Sequence, residues 1–112
     1  MKLQVVFLFL FISLMSFSAS CQDQYKVVNI GFYNLENLFD TLDTPGKLDE
    51  EFTPKGTKLY NTAMYTDKLT RLSTVISMLG KDVSPDGIAM LGVAEVENRK
   101  VLEDLVAQPL LK

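Results

Sequence analysis

Apolar and polar positions recur along the chain with different periods, and each period predicts a different element. Between Lys26 and Asn34 the residues are mostly β-branched or aromatic, and Val28, Ile30, Phe32 and Asn34 fall on one face at a spacing of two, which predicts a first strand. Leu35 to Asp40 fits a single helical turn capped by Asn34, and Asp43-Thr44-Pro45-Gly46 is a turn signal. Lys47 to Thr62 contains Pro54, Gly56 and the acidic run Asp49-Glu50-Glu51, the composition of a long surface loop. Between Tyr65 and Leu79 the residues Leu69, Leu72, Val75, Ile76 and Leu79 recur at helical spacing, with Thr66 as N-cap and Gly80 as stop. Pro85-Asp86-Gly87 turns the chain into Ile88–Val96, a run too continuously apolar for a strand with one wet face, so a buried, parallel strand is expected. Asn98 then caps a second helix from Arg99 to Ala107, whose inner face is Val101, Leu102, Leu105 and Val106, and Pro109 ends it.

The resulting order is strand, helix, strand, helix. Parallel strands joined through a helix form a right-handed crossover and leave their carboxyl ends on one edge of the sheet. Asn34 and Glu95 each stand at the exit of a strand, so this topology predicts that they approach one another across a long stretch of sequence. In open α/β sheets that edge is where ligands gather.

The start of the chain has another character. Lys2 is followed by an apolar run from Val5 to Met15, broken only by Ser13, and then by small polar residues to Ser20. This predicts a signal peptide over residues 1–20; the run is shorter than the ~20 apolar residues a membrane-spanning helix needs. Cys21, the single cysteine, follows Ser18-Ala19-Ser20. The placement resembles a bacterial lipobox, in which the thiol is acylated, although Ser18 stands where a lipobox has leucine; cleavage after Ser20 with a free thiol is the alternative. Both place the protein outside the cytoplasm, in the cell envelope or secreted. One cysteine makes no intramolecular disulfide, so a packed core must hold the fold. The 112 residues carry 11 basic and 14 acidic side chains. No basic patch of the kind that dominates nucleic-acid affinity is visible in the sequence.

Glu95 is the sharpest candidate for chemistry. Its carboxylate follows an apolar strand, where desolvation is costly unless a partner or a cation compensates, and hard cations such as Mg²⁺ take oxygen ligands. The plainer alternative is a side chain that emerges into solvent or holds a backbone amide. Asn34 by itself reads as a cap or turn former; beside Glu95 its amide could orient the carboxylate or donate to a phosphate oxygen. Glu97 is expected in solvent, facing away from Glu95 by strand alternation, and Asn98 is expected to be a helix cap, with substrate contact as a secondary role. The acidic run at Asp49 lacks the alternating ligands of a calcium loop and is expected to be solvated.

Two segments carry a family resemblance: Asn29-Ile30-Gly31-Phe32-Tyr33-Asn34-Leu35-Glu36-Asn37-Leu38-Phe39-Asp40 and Leu91-Gly92-Val93-Ala94-Glu95-Val96-Glu97-Asn98. They resemble the first two motifs of the endonuclease/exonuclease/phosphatase superfamily. Glu51 to Gly56 and Tyr65 to Leu69 resemble connecting features of its exported bacterial members. The resemblance covers about Lys26 to Val106, within a partial domain expected over residues 26–112. It implies an α/β fold, the amino-terminal part of a four-layered α/β/β/α sandwich. It also implies a metal site in which Glu95 binds Mg²⁺ or Mn²⁺ while Asn34 helps hold the ion and the phosphate. The activity implied is hydrolysis of a phosphodiester, in nucleic acid or in a phosphorylated lipid or inositol; separately from the resemblance, a monomer is expected. The family activates water with a histidine, and this sequence has none. The chain is therefore expected to be an amino-terminal fragment, inactive alone, of a longer hydrolase. The competing expectation, from a different class, is a non-catalytic envelope lipoprotein or binding module tethered through Cys21.

Overall fold

A computed structural model describes residues 25–112; the leader expected over residues 1–20 and Cys21 lie outside the described residues. The elements are β1 (Asn29–Leu38), α1 (Thr62–Met78), β2 (Ile88–Val96) and α2 (Arg99–Val106), with 3₁₀ turns at Glu50–Phe52 and Pro109–Leu111. The two strands pair in parallel, with Tyr33 opposite Val93 and Asn34 opposite Ala94. This is a small α/β unit consistent with part of the sandwich expected from the sequence. Among the described residues no helix is long and apolar enough to cross a membrane.

Both helices pack on one face of the strand pair. Leu35 and Leu38 of β1, Leu69, Leu72 and Ile76 of α1, and Val101 and Leu105 of α2 form one buried cluster, against which Tyr33, Leu91 and Val93 are packed. Burying a leucine-sized side chain contributes about 1.5–3 kcal/mol, so these seven side chains are the main source of cohesion. The helices are also tied by a polar contact: the Tyr65 hydroxyl donates to Asp104 Oδ2 at 2.9 Å. Burial and the Asp104 carboxylate push the Tyr65 phenol above its usual range, while hydrogen bonding by Lys100 holds Asp104 below its own.

The opposite face of the sheet is bare, which corrects the expected burial of the second strand. Ile30 and Phe32 are each 72% exposed and Met90 is 65% exposed. The period-two face of β1 therefore points away from the helices, and the covered side chains are the intervening ones. An apolar run alone does not say which face finds a partner; the helices took the side carrying Tyr33, Leu91 and Val93.

Three further expectations are corrected. Leu35 to Asp40 is not a helical turn: β1 continues to Leu38, and Leu38 pairs with Val96. The loop from residue 47 to residue 62 is not merely solvated. Phe39 stacks on Phe52 with ring centroids 4.1 Å apart, Tyr60 meets Phe52 edge-on, and the Lys58 ammonium lies 3.7 Å from the Phe52 centroid. Asp49, expected in solvent, is 1% exposed, and both its oxygens accept from the Thr44 amide, at 3.3 and 3.2 Å. A loop that folds over itself leaves backbone donors without ladder partners, and a short carboxylate satisfies them.

The start of α1 differs as well. Asn61, rather than Thr66, is the N-cap: its side chain accepts from the amides of Ala63 and Met64. At the other end Gly80 adopts a φ of +73°, and its carbonyl, with that of Gly87, accepts from Asn29 Nδ2 at 3.0 Å. Asn61→Ala is expected to lower the unfolding free energy by about 0.5–2 kcal/mol, whereas Thr66→Ala changes it by less than about 0.5 kcal/mol. Urea denaturation of the two variants checks the assignment; equal effects would contradict it.

Candidate functional site

The carboxyl edge of the strand pair is irregular. Regular pairing ends at Asn34 opposite Ala94 and resumes at Leu38 opposite Val96. Three residues of β1, Leu35, Glu36 and Asn37, therefore stand opposite the single residue Glu95, a bulge larger than the common one-residue kind. Glu36, Asn37 and Glu95 all adopt positive φ, at 52°, 59° and 56°. A non-glycine residue in that left-handed region costs on the order of 1–3 kcal/mol, and such strain concentrates at functional sites. The edge is thus a deformed segment held in shape by specific contacts.

Those contacts centre on Asn34. Its Nδ2 donates to Glu95 Oε1 at 2.8 Å, and its Oδ1 accepts from the Glu36 amide at 2.7 Å. The sequence expectation that Asn34 and Glu95 meet is what the structure places there. Both side chains are solvent-facing, so Glu95 is a carboxylate with one oxygen tied and an open approach.

Beside them is a residue to which the sequence reading gave no role at the site. Lys68, on α1, reaches over the bulge and donates from Nζ to the Glu36 carbonyl and to the Asn37 carbonyl at 2.9 Å. Burial pulls its ammonium below the usual lysine range, while the Glu36 and Glu95 carboxylates pull the other way. In sequence it stood within the Tyr65 to Leu69 segment, which resembles a connecting feature, as a polar residue one position before the apolar Leu69, and nothing there pointed to the strand edge. An open groove of about 490 Å³ between β1 and α1 is lined by Leu35, Glu36, Tyr60, Lys68 and Leu72 among others. The Tyr60 hydroxyl is buried there and has no hydrogen-bond partner among the described residues.

Glu97 and Asn98 serve the adjoining turn. Glu97, expected in solvent, is half-buried; it accepts from the Asp40 amide at 2.9 Å and from the Thr44 hydroxyl at 3.4 Å. The chain leaving β1 brings those donors over the end of β2, and the carboxylate meets them. Asn98 is the α2 cap, its Oδ1 accepting from Val101 N at 3.1 Å, and its Nδ2 donates to Asp40 Oδ2 at 3.2 Å.

The family model described as Endonuclease/Exonuclease/phosphatase family matches residues 29–112, which include both strands, both helices and the whole of this edge. The chain belongs to the endonuclease/exonuclease/phosphatase family. Members of the family are generally Mg²⁺-dependent phosphoesterases. No curated protein and no solved structure matches the chain.

For a member of this family, the donor set has to suit a hard divalent ion. Among the described residues no three His, Cys, Asp or Glu side chains cluster as a metal cage. Mg²⁺ does not require one, since it keeps several waters and is commonly bound through one or two carboxylates plus substrate oxygens. An exposed Glu95 carboxylate, oriented by an amide and reached freely from solvent, fits that mode.

Proposed function

We propose that this chain carries the metal- and phosphate-positioning edge of an exported phosphodiesterase or nuclease that depends on Mg²⁺ or Mn²⁺. The hydrogen bond of 2.8 Å between Asn34 Nδ2 and Glu95 Oε1, at the strained carboxyl edge of two parallel strands, supports this reading most directly. Glu95 is the residue that would hold the cation. Asn34 fixes the rotamer of Glu95 and presents an amide next to the position where a phosphate oxygen would lie. The bound ion, when present, offsets negative charge on the phosphoryl oxygens. The chain's part is orientation: a carboxylate held by a neighbour in a fixed pose loses less freedom on binding than a free one. The histidine that activates water in the family has no counterpart among these 112 residues, so the part this reading gives the chain is to hold the cation and the phosphate. The reading further places residues 1–20 as an export leader, with Cys21 acylated and attached to a membrane.

The test is metal removal. Full-length protein dialysed against EDTA is expected to lose hydrolysis of bis(4-nitrophenyl) phosphate and to recover it with added Mg²⁺ or Mn²⁺. Hydrolysis undiminished after complete metal removal would overturn the proposal. Parallel assays on DNA, RNA and phospholipid head groups identify the substrate class.

A further inference from the structure

The bulge opposite Glu95 is the most strained backbone near the site, and one side chain from a different element holds it. Lys68 Nζ donates to the carbonyls of both left-handed residues, Glu36 and Asn37. The same peptide segment determines how Asn34 is turned. The Glu36 N–H donates to Asn34 Oδ1, so the oxygen end of the amide is claimed by the bulge and the nitrogen end is left to face Glu95 Oε1. Hydrogen bonds on both sides of Glu36 therefore link the two ends of the site: Lys68 holds the Glu36 carbonyl, and the Glu36 N–H holds the Asn34 amide that donates to the Glu95 carboxylate. We infer that Lys68 is the positioning residue of this site: it locks the bulge in the conformation that aims Asn34 at Glu95, and thereby sets the affinity of Glu95 for a divalent cation. The inference rests on the proposal that Glu95 is where the cation binds.

Charge and position predict opposite results here, which makes the inference testable. Lys68 is a cation near Glu95. By Coulomb's law alone, removing it would tighten binding of another cation, by about fivefold for charges ~4 Å apart screened as in bulk water. Loss of positioning acts the other way, since removing the partner that orients a metal ligand typically weakens affinity by 10–100-fold. The larger effect is the positional one.

The experiment compares full-length wild-type protein with Lys68→Met and Lys68→Arg. Mn²⁺ binding is followed by electron paramagnetic resonance, and the Asn34 side-chain amide by ¹⁵N NMR without metal. Lys68→Met is expected to bind Mn²⁺ about 10–100-fold more weakly and to shift the Asn34 Nδ2 resonances towards those of a free amide. Lys68→Arg, which keeps charge and several donors, restores most of both. Unchanged or tighter Mn²⁺ binding in Lys68→Met overturns the inference, as does an arginine variant as impaired as the methionine one. Should Lys68→Met fail to fold, the wild-type protein still decides: a Lys68 ammonium held by two carbonyls exchanges its protons slowly, and fast exchange overturns the clamp. The amide and ammonium signals are read without metal, so failure of Glu95 as the cation site leaves them interpretable. The two ideas can therefore fail separately.

Discussion

Glu95→Gln is expected to lower Mg²⁺-dependent phosphodiester hydrolysis by the full-length protein by about 10²–10³-fold and to remove measurable Mn²⁺ binding, while leaving the fold intact. The substitution is nearly isosteric. A glutamine Oε1 can still accept the Asn34 Nδ2 donation that Glu95 now accepts at 2.8 Å, so the local geometry has no reason to collapse. What disappears is the formal charge, and a hard cation that keeps most of its waters depends on that charge for its attraction to the protein. Glu95 faces solvent, so the thermal midpoint should move little, as for most surface substitutions. Calorimetric titration with Mn²⁺, circular dichroism and steady-state hydrolysis separate the three effects. Full turnover by a folded Glu95→Gln protein would remove Glu95 from the site, and with it the case for this edge as the metal centre.

That the edge could be located from sequence at all follows from a constraint of parallel sheets. Once the segment between Lys26 and Asn34 and that from Ile88 to Val96 are recognised as strands joined through a helix, their carboxyl ends must share an edge, and Asn34 and Glu95 come together without knowledge of any contact. Asn98 was equally legible, because a cap is a local arrangement of side chain and backbone in the first helical turn. The bulge was not legible. Leu35 and Leu38 are three apart, the spacing of one helical face, and both are indeed buried. They reach the core by another route: left-handed residues at 36 and 37 return the chain to the sheet, where Leu38 finds Val96. Nothing in Leu-Glu-Asn-Leu encodes that pairing; it depends on β2 and on an ammonium from α1. Lys68 was hidden for the same reason, since a lysine on an amphipathic helix reads as solvated until the strand it covers is in place.

Leu38 joins this strained edge to the hydrophobic cluster, and Leu38→Ala is expected to cost about 2–5 kcal/mol of unfolding free energy, measured by urea denaturation. Its side chain is fully buried, among the seven residues that hold the helices on the sheet. Its backbone carbonyl accepts from the Glu97 amide at 3.1 Å, a contact alanine preserves, so the loss belongs to the side chain. A domain of ordinary stability has about 5–15 kcal/mol in total, so this variant is close to the limit of folding. Its second effect separates position from stability. Leu38 marks where the strands close again after the bulge, and a looser anchor there lets Glu36 and Asn37 relax out of the left-handed region. Leu105→Ala, a deletion of the same size in the same cluster at 3% exposure, lies on α2. It is expected to lose comparable stability and to bind Mn²⁺ as the wild type does, when both are measured well below their unfolding temperatures. Leu38→Ala should bind the ion more weakly under those conditions. If the two variants lose metal affinity to the same extent, general loosening of the core accounts for both, and the bulge draws its shape from Lys68 and Asn34 without help from Leu38.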